Sequence, residues 1–120
     1  MLNLDTHILV ALLQGTLTRE EDRVLARQPW GISPIVLWEL ASLRALGRIR
    51  VDLDDRDLQL DLKTIPVFPL SLEVAKLCMR LDFQSDPADQ IVAATSIHYQ
   101  APLVTRDSRI RGSRMVPFAL

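Results

Sequence analysis

A chain of 120 residues, 48% of them hydrophobic, suffices for one domain with a real core. Its formal net charge of −1 excludes a global electrostatic pull toward nucleic acid or acidic lipid. No apolar run approaches the ~20 residues needed to span a bilayer. The single cysteine, Cys78, excludes an internal disulfide and fits a reducing compartment, and its apolar helical setting reads as inert core. Only Lys63 and Lys76 are lysines; the other basic residues are arginines, a usage that suits phosphate recognition and also follows genome composition. The N-terminal MLNLDTHILVALLQG lacks a basic leader region, so the expectation is a soluble cytoplasmic protein rather than an exported one.

Met1 to Leu4 predicts a short strand that ends at Asp5. Asp5 can cap a helix over Thr6–Gln14, which Gly15 closes. Thr18 and Glu21 form a capping box for a second helix running to about Gln28, stopped by Pro29. Trp30 to Ile32 is a weak strand. Ser33 followed by Pro34 starts a third helix that continues to Gly47 and is apolar almost all round, which implies deep burial or an interface. Arg48 to Val51 reads as an extended connection, and Asp52 to Lys63 as an exposed amphipathic helix. Ile65 to Leu70, with two prolines, predicts an edge-like strand. Ser71 caps a helix through Leu81, with Leu72, Ala75, Cys78 and Leu81 on one stripe.

Asp86 is a good N-cap, and Pro87 suits the first position of a helix that Ala101-Pro102 breaks. Leu103 to Thr105 predicts a buried strand ending at Arg106-Asp107, and Met115 to Phe118 a last short strand. Strands alternating with helices point to an α/β domain with a mainly parallel sheet in three layers.

The acids carry the functional signal. Glu39 has Ile35, Val36, Ser42 and Leu43 as its helical neighbours and no local cation. Burying such a carboxylate is costly, so it protonates, finds a partner, or lies on an exposed strip. Asp5, Asp86, Asp89 and Asp107 each have a plain reading as a cap, a dipole partner or a turn residue. Their joint placement argues for more. Asp5 and Asp107 both follow strands, and Asp89 starts the helix leading into the strand that Asp107 ends. Strand C-terminal ends of a parallel sheet share one edge, where such folds bind ligands. Several carboxylates gathered there repel one another, and a hard cation such as Mg²⁺ or Mn²⁺ relieves this. His7 and His98 are single, so no zinc-type cluster exists.

Three segments, LDTHILVALL, ISPIVLWELASLRALGRIRV and DPADQIVAATSIHYQAPLVTRDSRI, together resemble PIN-domain ribonucleases of the VapC toxin type. They cover roughly half of the chain in the family's order. The resemblance implies a PIN fold, a Rossmann-like α/β/α sandwich. It implies that Asp5, Glu39, Asp89 and Asp107 form an acidic catalytic quartet, with Asp5, Asp89 and Asp107 as the metal ligands for Mg²⁺ or Mn²⁺. Thr6 and Thr105 match accessory hydroxyl residues that orient carboxylates or coordinated water, and Asp86 an accessory acid at the pocket. It further implies metal-dependent endoribonuclease cleavage that arrests translation. A VapB-type antitoxin would block the site, often by inserting an arginine, and the chain would form a homodimer. His7 departs from many relatives, and its role is open.

Arg106, Arg109, Arg111 and Arg114 follow the last acid, as an RNA-holding rim or as an ordinary solvated loop. Trp30 and Trp38 could stack on bases, although core or dimer packing is the more common use of tryptophan. Other phosphoryl-transfer folds fit less well. A haloacid dehalogenase wants an aspartate two residues after the first, where His7 stands; a receiver wants a late lysine, where Arg106 and Asp107 stand. A catalytically silent PIN module acting as a partner-binding scaffold is the remaining alternative.

Overall fold

The computed structural model describes all 120 residues. Chain order is β1 (Leu2–Leu4), α1 (Thr6–Gln14), α2 (Arg19–Arg27), β2 (Trp30–Ile32), α3 (Pro34–Ala45), α4 (Arg56–Thr64), α5 (Leu72–Cys78), α6 (Pro87–Tyr99), β3 (Leu103–Val104) and α7 (Ser108–Arg111). The three strands form a parallel sheet in the order β2-β1-β3. Asn3 pairs with Gly31 on one side and Leu103 on the other.

Successive strand residues face opposite sides of a sheet. Leu2, Asn3 and Leu4 are all fully buried, so both faces of β1 are covered, as in a three-layer domain. Asn3 identifies one cover: its Nδ2 donates to the Val92 carbonyl at 3.0 Å and to Ser96 Oγ at 3.0 Å, both on α6. Leu2 and Leu4 belong to the main core, with Ile8 and Leu9 of α1, Val36 and Leu40 of α3, and Leu103, Val104 and Ile110.

Helix ends follow the local chemistry. Asp5 Oδ1 accepts from the Thr6 amide, and Gly15 closes α1 in the left-handed region at φ 72°. The capping box of α2 is complete, with Thr18 and Glu21 satisfying each other's backbone. Asp55 caps α4 through the Leu58 amide, so that helix begins at Arg56 rather than Asp52.

Four expectations are corrected. Ile65 to Leu70 forms no strand; it touches the sheet through one parallel bridge, Val67 to Ile32. Met115 to Phe118 likewise contributes one bridge, Phe118 to Leu103. Prolines at 66, 69 and 117 remove the amides that a longer ladder needs. Helix α5 ends at Cys78, and its inward residues are Val74 and Cys78, packed on Ala94 of α6. Leu72, expected on that stripe, is 69% exposed. Of the two readings of helix α3, deep burial is excluded and an interface is left: Val36 and Leu40 face the core while Leu37, Trp38 and Leu46 are exposed. No helix is long and apolar enough to cross a membrane.

Candidate active site

The carboxyl ends of β1, β2 and β3 lie at one edge of the parallel sheet, and the acids are delivered there by different elements. Asp5 is the first residue after β1. Glu39 is on the second turn of α3, which leaves β2 through Ser33. Asp89 is in the first turn of α6, the helix that runs back to β3. Asp107 follows β3 and caps α7.

Asp5 is 2% exposed, and both its oxygens are engaged. Oδ1 accepts from the Thr6 amide at 2.8 Å, and Oδ2 accepts from the Thr105 hydroxyl at 2.6 Å. Burial raises its pKa above the usual carboxylate value, against the pull of those two bonds, and the nearby Asp89 charge adds to the rise. Glu39 behaves alike. Burial raises its pKa despite the Thr6 hydroxyl, which donates to Oε1 at 2.5 Å, and the charges of Asp5 and Asp89 push it up further. Asp5, Glu39 and Asp89 are therefore one electrostatic group. The charge of His7, exposed at the rim, pulls in the opposite direction on both Asp5 and Glu39. None of the three acids has a basic partner; the chain's one ion pair joins Arg106 to Glu21. Asp89 Oδ2 accepts from the Ser85 hydroxyl at 2.6 Å.

Asp107 is linked to the trio through a threonine. Thr105 Oγ1 donates to Asp5 and accepts from the Asp107 amide at 3.0 Å. The Asp107 carboxylate itself turns toward the start of α7, where Oδ1 accepts from the Arg109 and Ile110 amides. It lines a polar cleft of about 600 Å³ with His7, Gln14 and Arg109. As placed, no three acidic, histidine or cysteine side chains close on one point as a metal cage would. The donor set nonetheless fits a hard divalent cation: Asp5 and Glu39 raised in pKa by burial and then by neighbouring acids, hydroxyls beside them, and no thiolate.

The other predicted residues separate. Asp86 stands exposed at the cap position of α6 but its side chain makes no capping bond, while Ser85 and Asp89 bond each other. Arg106 lines the same polar cleft as Asp107 but is already paired. Its Nε and Nη2 hold Glu21 at 2.8 and 2.5 Å, and Nη2 also reaches the Thr16 carbonyl. This pair pushes the Glu21 pKa down to about 2. Arg111 stacks on the Phe118 ring at 5.1 Å and donates to the Leu120 carbonyl, a structural use as well. Arg109 remains exposed at the cleft, whereas Arg114 docks its backbone amide on Asp82.

Two buried residues escaped the sequence reading. Asn3 ties β1 to α6, and its Oδ1 has no partner; a polar residue inside LNL was the available signal. Ser33, fully buried before α3, likewise leaves Oγ unpartnered, a position that reads from sequence only as an N-cap.

The class of protein is thus an α/β domain with a carboxylate group at the C-terminal edge of a short parallel sheet. A model of the PIN domain family matches residues 3–112, and the chain belongs to that family. No curated relative matches at the level of sequence. Among solved structures the chain is similar to one in VapBC2 from Rickettsia felis bound to a DNA fragment from their promoter (TM-score 0.73, 18% identity, 98% of this chain and 97% of that chain). It is also similar to one in FitAcB from Neisseria gonorrhoeae (0.70, 18%, 98% and 96%). A third is in a toxin-antitoxin complex from Klebsiella pneumoniae (0.67, 22%, 91% and 88%).

Proposed function

We propose that this PIN domain is a metal-dependent endoribonuclease, the VapC-type toxin of a toxin–antitoxin pair. The observation that carries the reading is the trio of Asp5, Glu39 and Asp89, drawn from three elements to one sheet edge with no salt-bridge partner. A bound Mg²⁺ or Mn²⁺ would polarise a phosphoryl oxygen and lower the pKa of an attacking water. Asp5 and Asp89 would hold it, with Asp107 joining from the cleft side. Glu39, its carboxylate held by the Thr6 hydroxyl, would accept the proton of that water. Thr105 fixes the Asp5 carboxylate and, through the Asp107 amide, the separation of the first and last acids. Arg109, exposed beside Asp107, is the cation free to meet a flanking RNA phosphate.

The solved neighbours include toxin–antitoxin complexes, which favours an antitoxin partner for this chain. Exposed Leu70, Leu72 and Met79 suit a homodimer face. In the cell the cleavage would inhibit translation, in the cytoplasm.

Purified protein incubated with structured and unstructured RNAs tests the reading. Cleavage is expected with Mg²⁺ or Mn²⁺ and not with chelator. Asp5→Asn and Asp89→Asn should lower the rate at least ~1,000-fold while the fold survives. An intact wild type that leaves every RNA whole with either metal, yet binds an antitoxin-like partner, would establish the silent scaffold instead.

A further inference from the structure

Helix α3 and the start of α6 leave between them a second cleft of about 440 Å³. Ile35 and Trp38 wall it on the α3 side and Pro87 and Ala88 on the α6 side, with Glu39 and Asp86 as its polar members. Three observations show what would enter. Trp38 is 64% exposed, leaving a large flat ring against water where aromatic side chains usually bury. Asp86 sits in the cap position of a 13-residue helix yet spends its carboxylate on no backbone amide. Glu39 belongs both to this cleft and to the acidic trio, so a group held here lies beside the carboxylates of the proposed nuclease site.

Two carboxylates in a small cleft repel phosphate but accept from N–H groups. An aromatic wall prefers a planar ring, and stacking accepts any base. Hydrogen bonding discriminates. Guanine presents N1–H and an N2 amino hydrogen side by side, matching the two oxygens of one carboxylate. Adenine and cytosine each offer one amino group beside an acceptor, and uracil one imino hydrogen between two acceptors.

We propose that this cleft is the nucleobase subsite of the enzyme, seating a guanine beside the scissile phosphate, with Trp38 stacked on the ring and Asp86 accepting from N1–H and N2–H. The inference rests on the ribonuclease reading and names which residue of the RNA is recognised.

Single-stranded oligoadenylates carrying one guanine, cytosine or uracil test it. Wild type should cut next to guanine. Asp86→Asn should lower kcat/KM on the guanine substrate roughly 10- to 100-fold and so erase its advantage over the cytosine and uracil substrates. Trp38→Ala should raise KM about tenfold or more on the guanine substrate with kcat nearly unmoved, and Trp38→Phe should recover most of that loss. Independently of cleavage, guanosine monophosphate should quench tryptophan fluorescence in wild type more than adenosine monophosphate does, and the difference should vanish in Trp38→Phe.

A fall in kcat on every substrate with Asp86→Asn would overturn the assignment, since Asp86 would then act on the cation. Unchanged base preference and quenching, with Trp38→Ala altering only oligomeric state or antitoxin binding, would give the cleft to a protein partner instead. Cleavage without base preference defeats the subsite alone. Guanosine-dependent quenching in a protein that cuts no RNA defeats the nuclease reading and leaves the cleft as a base-binding site.

Discussion

At the scale of single residues, the site is built from carboxylates that cost free energy as they stand. A buried acid with a raised pKa favours its protonated form, so it contributes to stability below its ordinary pKa and loses that contribution as pH rises through the raised value. Asp5→Asn removes this burden. In metal-free buffer at neutral pH the variant should melt a few degrees above wild type, as followed by circular dichroism. Thr105→Val has the opposite sign. It keeps the shape and deletes the hydroxyl that serves both Asp5 and the Asp107 amide, and a loss of about 1–3 kcal/mol is expected in urea unfolding. Asp5 and Glu39 were legible in the sequence because each is an acid set among apolar residues, and Asp89 through its place in the first turn of the helix that leads to the last strand. Asn3 was not, since one amide within a three-residue strand has no period to betray it. Nor was the destination of Arg106, whose partner Glu21 lies 85 residues away and was already explained by its capping box.

At the scale of elements, Glu21 and Arg106 fasten α2 to the end of β3. A depressed carboxylate pKa contributes stability above its ordinary value, here 4.5, and that contribution fades as pH falls toward about 2. Arg106 is 44% exposed, so solvent screening limits the pair to about 1 kcal/mol. Glu21→Gln should cost about that much at pH 7 and become nearly neutral near pH 2, measured by denaturant titration at both values. At β2 the constraint is steric. A Cβ on Gly31 would meet the Pro66 carbonyl oxygen at 2.7 Å, a backbone atom that cannot swing aside. Gly31→Ala should therefore cost roughly 1–3 kcal/mol and disturb the Ile32 to Val67 bridge. Helix starts were readable because serine, threonine, aspartate and proline act locally. The buried face of α5 was not, because an i,i+3 and an i,i+4 stripe both fit its seven residues and α6 chooses between them.

Across the whole molecule, the order of elements and the parallel sheet follow from alternation of strand and helix, and the sequence carries both. What it does not carry is sheet width. Val67 and Phe118 extend the sheet by single bridges on either flank, and proline placement decides that only through the path of the folded chain. The site couples to global stability through its ligand. A divalent cation bound by the native state alone stabilises by RT ln(1 + [M]/Kd), about 2.7 kcal/mol at a hundredfold excess over Kd. Mn²⁺ should raise the melting temperature of wild type and chelator should reverse it, whereas Asp5→Asn combined with Asp89→Asn should show no response.

Position 105 has a consequence for the kind of order this site possesses. Threonine is β-branched, so its first side-chain torsion is stiff, and the hydroxyl that spans Asp5 and Asp107 points where the backbone just past β3 aims it. Serine there would present the same donor and acceptor on a freer rotor. The aim of the first acid thus resides in a torsional barrier as much as in bond strength, and Thr105→Ser should lower turnover several-fold while leaving thermal unfolding nearly where it was.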